Sequence, residues 1–159
     1  MSNALVWFRR DLRLADNPAL SAALDAGLTP VPVYIHDEPS GGWSLGAASA
    51  WWLHHSLAAL GQEIAALSGN LILRRGDSAE QLGRLVEQSG AQAVYCSRQY
   101  EPWAAQLERD VHQRLASDGV SLKRYPGSLL FEPNGCSCNP LELRTCMYCR
   151  LRDRGIALM

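Results

Sequence analysis

The chain has 159 residues, of which 47% are hydrophobic and 19% charged, enough for one globular domain with its own core. Its formal net charge of −1 argues against nucleic-acid binding by this chain alone, because neutralising phosphates requires a basic excess. No apolar run reaches the roughly 18 residues of a membrane-spanning helix, and the first residues do not resemble a signal peptide. The sequence therefore predicts a cytoplasmic protein without membrane contact.

Short apolar runs alternate with amphipathic segments along the chain. The apolar runs predict five strands, at 4–8, 31–36, 71–74, 93–96 and 120–125. The amphipathic segments predict four helices, at about 18–26, 47–68, 78–89 and 102–117. This order predicts an α/β fold, a Rossmann-like doubly wound five-stranded parallel sheet with helices on both faces.

Cap and turn residues mark the ends of the first helices. Asn17 followed by Pro18 is typical of a helix N-cap and first helical position, and Asp77 or Ser78 is the predicted cap of the third helix. Pro32 within the second strand indicates a strand start or an edge, because proline cannot donate to a sheet ladder.

The predicted inner faces of the helices come from apolar residues at helical spacing. In the first helix they are Leu20 and Leu24. In the other three helices they are Leu53, Leu57, Leu60, Ile64 and Leu67, then Leu82, Leu85 and Val86, and then Trp103, Leu107, Val111 and Leu115. Trp51 and Trp52 are predicted to serve in helix packing.

Ligands of doubly wound sheets bind beyond the carboxyl ends of the strands, where the loops 9–17, 37–46 and 97–102 carry unusual residues. The first of these loops contains no glycine, so it matches neither the dinucleotide-binding fingerprint nor a phosphate-binding lysine loop.

The first loop carries a charged cluster, Arg9, Arg10, Asp11 and Arg13. Asp11 is the predicted local partner of its neighbours Arg10 and Arg13, because guanidinium groups form forked hydrogen bonds with carboxylates. An ion-pair network that fixes the loop is the favoured interpretation. A docking surface for a second domain or for an anionic ligand is the functional alternative.

Four stretches carry a resemblance to a known family: LVWFRRDLRLADNPAL at 5–20, WSLGAASAWWLHHSLAAL at 43–60, YCSRQYEPW at 95–103 and LLFEP at 129–133. Together they resemble the amino-terminal domain of the DNA photolyase/cryptochrome family, across residues 3–133. Ser97 stands where the family commonly has asparagine.

The resemblance implies an α/β domain that holds an antenna chromophore, a folate or a deazaflavin, beside a helical domain that binds FAD and damaged DNA. The chain is thus expected to be the light-harvesting domain of a deoxyribodipyrimidine photolyase, truncated at its carboxyl end. Without the FAD domain it is expected to be inactive and to reach DNA only through that domain. A cryptochrome-type photoreceptor fragment and a free-standing nucleotide- or flavin-binding module remain as alternatives. The oligomeric state is not predicted.

Two loops supply candidate contacts to the antenna. Arg98 and Glu101 follow the fourth strand, and His36, Asp37 and Trp43 follow the second. A carboxylate can hydrogen-bond a ring edge and tryptophan can stack on the ring face. Within the family resemblance, Arg9, Arg10, Asp11 and Arg13 match the signature, and packing of their loop against the absent domain is the favoured role.

The resemblance divides the chain into an α/β domain at 1–133 and a divergent cysteine-rich tail at 134–159, which is not expected to be a folded domain. The tail cysteines are Cys136, Cys138, Cys146 and Cys149. Four thiolates can bind zinc tetrahedrally, but the C-x-C half and the seven-residue gap match common zinc spacings poorly. No metal site is therefore predicted, and zinc is kept as a weak alternative.

Overall fold

The computed structural model describes residues 2–37 and 45–127. Its strands are β1 (Asn3–Phe8), β2 (Thr29–His36), β3 (Ile72–Arg75), β4 (Ala91–Ser97) and β5 (Ser121–Tyr125). Its helices are α1 (Pro18–Asp25), α2 (Ala47–Ala66), α3 (Ser78–Ser89) and α4 (Pro102–Ser117). Every predicted element is present, and no predicted end is displaced by more than two residues.

The strands form one all-parallel sheet in the order β3-β2-β1-β4-β5. The chain moves outward from β1 to β3 and then crosses back to β4, so the winding reverses between β1 and β4. This arrangement confirms the predicted Rossmann-like doubly wound fold. It also places the carboxyl ends of β1 and β4 next to each other, where such sheets bind ligands.

Side chains of the central strand β1 alternate between two cores. Leu5 and Trp7 pack with α3 and α4, whereas Val6 and Phe8 pack with α1 and α2. All four are buried. A strand buried on both faces has a continuous apolar sequence. This is why the apolar run at 4–8 predicted β1 correctly.

Local capping fixes the starts of α1 and α3. The Asn17 side chain accepts hydrogen bonds from the backbone N–H groups of Ala19 and Leu20, both at 3.1 Å, with Pro18 in the first helical position. Asp77 accepts from the backbone N–H of Glu80 at 2.8 Å. Both predicted caps are confirmed.

The prolines of β2 precede the part of this strand that has two neighbours. β3 pairs with β2 only from Val33 onward, whereas β1 pairs from Thr29. Pro30 and Pro32 thus lie in a stretch that borders β1 but not β3. The local edge indicated by Pro32 is present, although β2 as a whole lies inside the sheet.

Several predicted inner faces are wrong in detail. In α1 the buried residues are Ala19 and Ala23, while Leu24 is 54% exposed. In α2 only Leu60 and Ile64 are fully buried, and Leu67 is 76% exposed because the helix ends at Ala66. Leu67 is therefore a cap residue and no longer follows the helical stripe.

Trp51 and Trp52 also differ from the prediction that they serve in helix packing. Their side chains are 60% and 69% exposed, with ring centroids 6.1 Å apart. Trp51 packs on His55 of its own helix at 4.3 Å. Neither side chain is buried in a helix-packing contact.

No helix within residues 2–37 and 45–127 is long and apolar enough to span a membrane. The predicted domain boundary at residue 133, Trp43 and the four tail cysteines lie outside the described residues.

Candidate ligand-binding cleft

A cleft of about 950 Å³ opens at the carboxyl edge of the sheet. Its lining combines Arg9 after β1, Asp37 after β2, Trp52 of α2, Ser78 at the start of α3 and Trp103 in the first turn of α4. Side chains from five separate parts of the chain thus meet where the parallel strands end. A volume of this size suits a ligand of several fused rings.

Part of the cleft lining is aromatic and aliphatic. Trp52 and Leu53 line it from α2, and Trp103 and Leu107 line it from α4. The guanidinium of Arg10 lies over the ring of Trp103, 5.7 Å from its centroid. Aromatic faces of this kind favour a flat ligand.

Arg9 ties the end of β1 to β4 and α4. Its Nη2 donates to the backbone oxygen of Ser97 and, at 2.7 Å, to Oε1 of Glu108. Its Cζ also lies 4.7 Å from the ring centroid of Trp7. Arg9 is only 9% exposed, so the first arginine of the charged cluster lies in the interior of the α/β domain.

Glu108 is the buried anion of this network. Besides Arg9 it accepts from Nη1 of Arg124 at 3.1 Å and from the backbone N–H of Gln99 at 3.3 Å. Burial alone raises the pKa of the Glu108 carboxyl, but the hydrogen bond and charge of Arg9, with those other two donors, outweigh it and hold the pKa below its ordinary value. Glu108 is therefore ionised at neutral pH.

Four buried donor atoms around the cleft have no hydrogen-bond partner within the described part of the chain. They are Nε1 of Trp7, Nε and Nη1 of Arg9, and Oγ of Ser78. All three residues line the cleft. Buried polar atoms are nearly always paired in proteins, so each of these needs an explanation.

The pairing within the charged loop differs from the predicted one. Asp11 accepts from the backbone N–H of Arg9 at 3.1 Å, from Nδ2 of Asn17 at 3.3 Å and from the hydroxyl of Ser97. The neighbouring cations bind elsewhere: Arg10 pairs with Glu101, and Arg13 donates to the backbone oxygen of Asp16. The loop is fixed as expected, by local contacts to Asn17 and Asp16 and by contacts to Ser97 and Glu101 that are remote in sequence.

The candidate antenna contacts after β2 are placed differently from one another. Asp37 lines the cleft, and its Oδ2 accepts from the backbone N–H of Ser78 at 2.9 Å, which caps α3. His36 ends β2 and its carbonyl accepts from the backbone N–H of Gly76 at 3.1 Å. Of these two residues, only Asp37 is among the described residues that form the lining.

The candidates after β4 lie at the other side. Glu101 immediately precedes α4 and pairs with Arg10, a lining residue, but Glu101 itself is not among the described residues of the lining. The backbone N–H of Arg98 donates to the carbonyl of Tyr125 at 2.8 Å, next to β5. Between Arg98 and Glu101, Gln99 is the residue that lines the cleft.

Sequence reasoning did not single out Trp7, Ser78 or Glu108 as site residues. Trp7 lies in the apolar run of β1 and looks like an ordinary core residue. Ser78 begins α3 and looks like an ordinary capping residue. Glu108 did leave a signal, because it lies four residues after Ala104 and three before Val111, both fully buried on the inner face of α4. A carboxylate at such a position requires a buried cation.

Neither a reactive thiol nor a metal cluster is found within the described residues. Burial raises the pKa of the Cys96 thiol to about 11, so it stays protonated and unreactive. No group of three or more histidine, cysteine or acidic side chains in this part of the chain could hold a metal ion.

The comparisons with known proteins agree with this architecture. The family model for DNA photolyase matches residues 4–140. The chain belongs to the DNA photolyase family. The deoxyribodipyrimidine photo-lyase of Agrobacterium fabrum is 42% identical over 130 residues, which cover 82% of this chain and 27% of that protein. Cryptochrome-2 of Arabidopsis thaliana is 37% identical over 131 residues, covering 81% of this chain and 21% of its own length.

Solved structures of photolyase-family proteins share the fold. A bacterial class III photolyase from Agrobacterium tumefaciens superposes with a TM-score of 0.77 at 40% identity, over 84% of this chain and 27% of that one. A cryptochrome from Synechocystis superposes with a TM-score of 0.80 at 25% identity, over 100% of this chain and 35% of that one. The chain thus spans about a fifth to a third of the relatives it matches, which include both photolyases and cryptochromes.

Proposed function

We propose that this chain is the light-harvesting domain of a blue-light-dependent deoxyribodipyrimidine photolyase and that it holds an antenna chromophore of the folate or deazaflavin type in the cleft. Membership of the photolyase family supports the proposal, as does the 42% identity to a deoxyribodipyrimidine photo-lyase. The observation that carries it is the cleft itself, with Trp52 and Trp103 on its walls at the ligand-binding edge of the sheet.

The lining fits such a chromophore chemically. A pterin or deazaflavin is a flat heterocycle, and the aromatic side chains of Trp52 and Trp103 in the lining can contact such a ring. Its ring oxygens and nitrogens accept hydrogen bonds, and Arg10 and Gln99 among the lining residues carry side-chain donors. When bound, the chromophore absorbs light and passes on the excitation energy. The residues of this chain bind it, orient it and keep water from its ring faces.

Repair of pyrimidine dimers belongs, in this proposal, to the whole photolyase rather than to this chain. A helical domain carrying FAD would receive the excitation energy and contact the damaged DNA. The net charge of −1 on this chain suits a domain that does not grip the phosphate backbone itself. The chain alone is therefore expected to bind a chromophore and to leave dimers unchanged under illumination.

Chromophore binding is tested with 8-hydroxy-5-deazariboflavin and 5,10-methenyltetrahydrofolate as probes, by fluorescence anisotropy on the purified chain. We expect one of them to bind and Trp52→Ala to weaken its affinity about tenfold, because losing an aromatic stack costs about 1.4 kcal/mol. Trp51→Ala is the matched control: Trp51 is also largely exposed but is not among the described lining residues, so its removal should leave the affinity unchanged. The absence of binding by both probes, or equal effects of the two substitutions, contradicts the proposal.

A cryptochrome-type photoreceptor is the second candidate, favoured by the 37% identity to Cryptochrome-2. The full-length gene product separates the two functions. A photolyase reverses cyclobutane dimers in an irradiated oligonucleotide under blue light, whereas a photoreceptor of this type does not. A free-standing flavin-binding module is a third candidate, and a stoichiometric flavin in the absorption spectrum of the purified chain would favour it.

A further inference from the structure

We propose that α2 is a self-association helix, through which two copies of this chain form an antiparallel, two-fold symmetric dimer. The contact uses the side of α2 opposite its buried residues Leu60 and Ile64, and this side is called the outer face. At 3.6 residues per turn, the outer face carries Ala47, Trp51, His55, Ala58, Gln62 and Ala65. None of these is among the described residues that line the cleft, so the inference goes beyond the proposed function and does not depend on it.

The outer face is exposed along the whole helix. All of its residues are exposed, and Trp51 is 60% exposed. The Trp51 ring packs on His55 of its own helix, with the ring centroids 4.3 Å apart. Of the 20 residues of α2, Leu60 and Ile64 alone are buried. An exposed aromatic and aliphatic face on a helix of this length indicates an interaction surface.

The charge pattern favours a second copy of the chain as the occupant of the outer face. A two-fold contact sets one face against an identical face, so every charge on it would meet like charge. The outer face carries no Asp, Glu, Lys or Arg, and the single such residue of α2 is Glu63. The face therefore has no carboxylate, ammonium or guanidinium with which to select a charged partner. The net charge of −1 on the chain adds little repulsion between two copies.

The sizes of the side chains favour antiparallel pairing. Trp51 and His55 make the first half of the outer face bulky, whereas the second half contains Ala58 and Ala65. When two α2 helices cross antiparallel at their midpoints, Trp51 lies opposite Gln62 of the partner subunit, between these two alanines. A parallel pair would instead leave the alanine halves facing each other across a gap, which close packing disfavours.

The size of the outer face sets the expected strength of the dimer. A helix of 20 residues is about 30 Å long and about 10 Å wide with its side chains. One such helix offers less than the roughly 800 Å² per partner that a standard interface buries. We therefore expect a reversible dimer with a dissociation constant of roughly 10–100 µM.

Sedimentation equilibrium of the purified chain, from about 1 µM to about 1 mM, covers the expected dissociation constant. We expect a monomer–dimer equilibrium that Trp51→Glu weakens at least about tenfold, because the contact strips water from the introduced carboxylate. Leu24→Glu is the matched control. Leu24 is 54% exposed on α1, so the same kind of change lies off the outer face and should leave the equilibrium unaltered. Far-ultraviolet circular dichroism verifies that both variants are folded.

A charge-rescue experiment tests the antiparallel arrangement. Positions 51 and 62 lie eleven residues apart, about 16 Å along one helix, so side chains there cannot pair within a single copy. Combining Trp51→Glu with Gln62→Lys should restore dimerisation about threefold or more relative to Trp51→Glu alone, because the symmetry creates two ion pairs across the contact. Combining Trp51→Glu with Gln62→Glu should restore nothing.

Each alternative occupant gives a distinct result. Acrylamide quenching of Trp51, taken as the difference between the parent chain and Trp51→Phe, reports whether the outer face is covered. A monomer with shielded Trp51 means that the same chain covers the face, and a monomer with fully quenched Trp51 means that the face is free. Both results overturn the inference, as does a dimer that Trp51→Glu leaves intact. A dimer that Trp51→Glu weakens and Gln62→Lys rescues supports it, whatever ligand the cleft binds.

Discussion

Arg9 illustrates how one residue can mark a family and still act inside the fold. Its guanidinium joins the end of β1 to the backbone of Ser97 and to Glu108 of α4. These contacts pair its Nη2, whereas its Nε and Nη1 have no hydrogen-bond partner in the described part of the chain. The same side chain therefore marks the family and contributes to the stability of the α/β domain.

We predict that Glu108→Gln lowers the free energy of unfolding by roughly 3 kcal/mol at pH 7, because it leaves Arg9 as a buried charge without its counterion. Urea denaturation followed by circular dichroism measures the change. Glu80→Gln is the control, since Glu80 pairs with Arg84 on an exposed helix surface and its loss should cost less than about 0.5 kcal/mol. Equal losses in the two variants would contradict the prediction.

The same carboxylate makes stability depend on pH. The pKa of Glu108 is lowered in the folded chain, so its contribution is fully present above the ordinary pKa of 4.5 and is lost as the pH falls through the folded pKa. Urea midpoints measured from pH 7 down to pH 3 should fall less steeply for Glu108→Gln than for the parent chain. Parallel curves would show that Glu108 is not the group responsible.

Cys96 should be inert in the folded chain. It is completely buried and burial raises the pKa of its thiol to about 11, so almost no thiolate forms at pH 8. Iodoacetamide followed by peptide mass spectrometry should leave Cys96 unmodified under native conditions and label it in 6 M urea, a concentration of the order used for complete unfolding. Native labelling at the denatured rate would mean that the β4 core opens readily.

At the scale of elements, α2 shows where helical periodicity stops being informative. Leu60 and Leu67 lie seven residues apart, on one predicted stripe, yet Leu60 is 2% exposed and Leu67 is 76% exposed. The helix ends at Ala66, and Leu67 is the cap residue that follows the last helical residue. The end of the helix, and not its pattern, decides which leucine is in the core.

The two leucines of α2 provide a matched prediction. Leu60→Ala should cost about 2–5 kcal/mol, because it removes a fully packed side chain and leaves a cavity. Leu67→Ala should change the stability by no more than about 0.5 kcal/mol. Thermal or urea unfolding of both variants measures the difference, and similar costs would place Leu67 in the core after all.

At the scale of the whole molecule, the cleft results from the reversal of winding between β1 and β4. That reversal brings the loop after β1 to the start of α4, so Arg10 meets Glu101 and Trp103. The first turns of α2 close the other side with Trp52. Ligand binding at this junction should therefore stabilise the whole unit and not one loop.

This linkage gives a prediction for the intact chain. A bound chromophore at a concentration of one hundred times its dissociation constant should raise the free energy of unfolding by about 2.7 kcal/mol. Urea titrations with and without the chromophore measure the rise, and Trp52→Ala should reduce it at equal ligand concentration. If the chromophore binds without raising the urea midpoint, the unfolded chain binds it equally well, and the prediction is wrong.

The sequence by itself determined the elements, their order and the fold class, because caps such as Asn17 and runs such as β1 act over a few residues. It also placed the charged loop and Asp37 at the ligand-binding edge. The tertiary structure alone decided that Arg9 pairs with Glu108, 99 residues away, and that Trp7, Ser78, Trp52 and Trp103 share one cleft. Those contacts depend on how distant segments close around one another, and local periodicity carries no information about that closure.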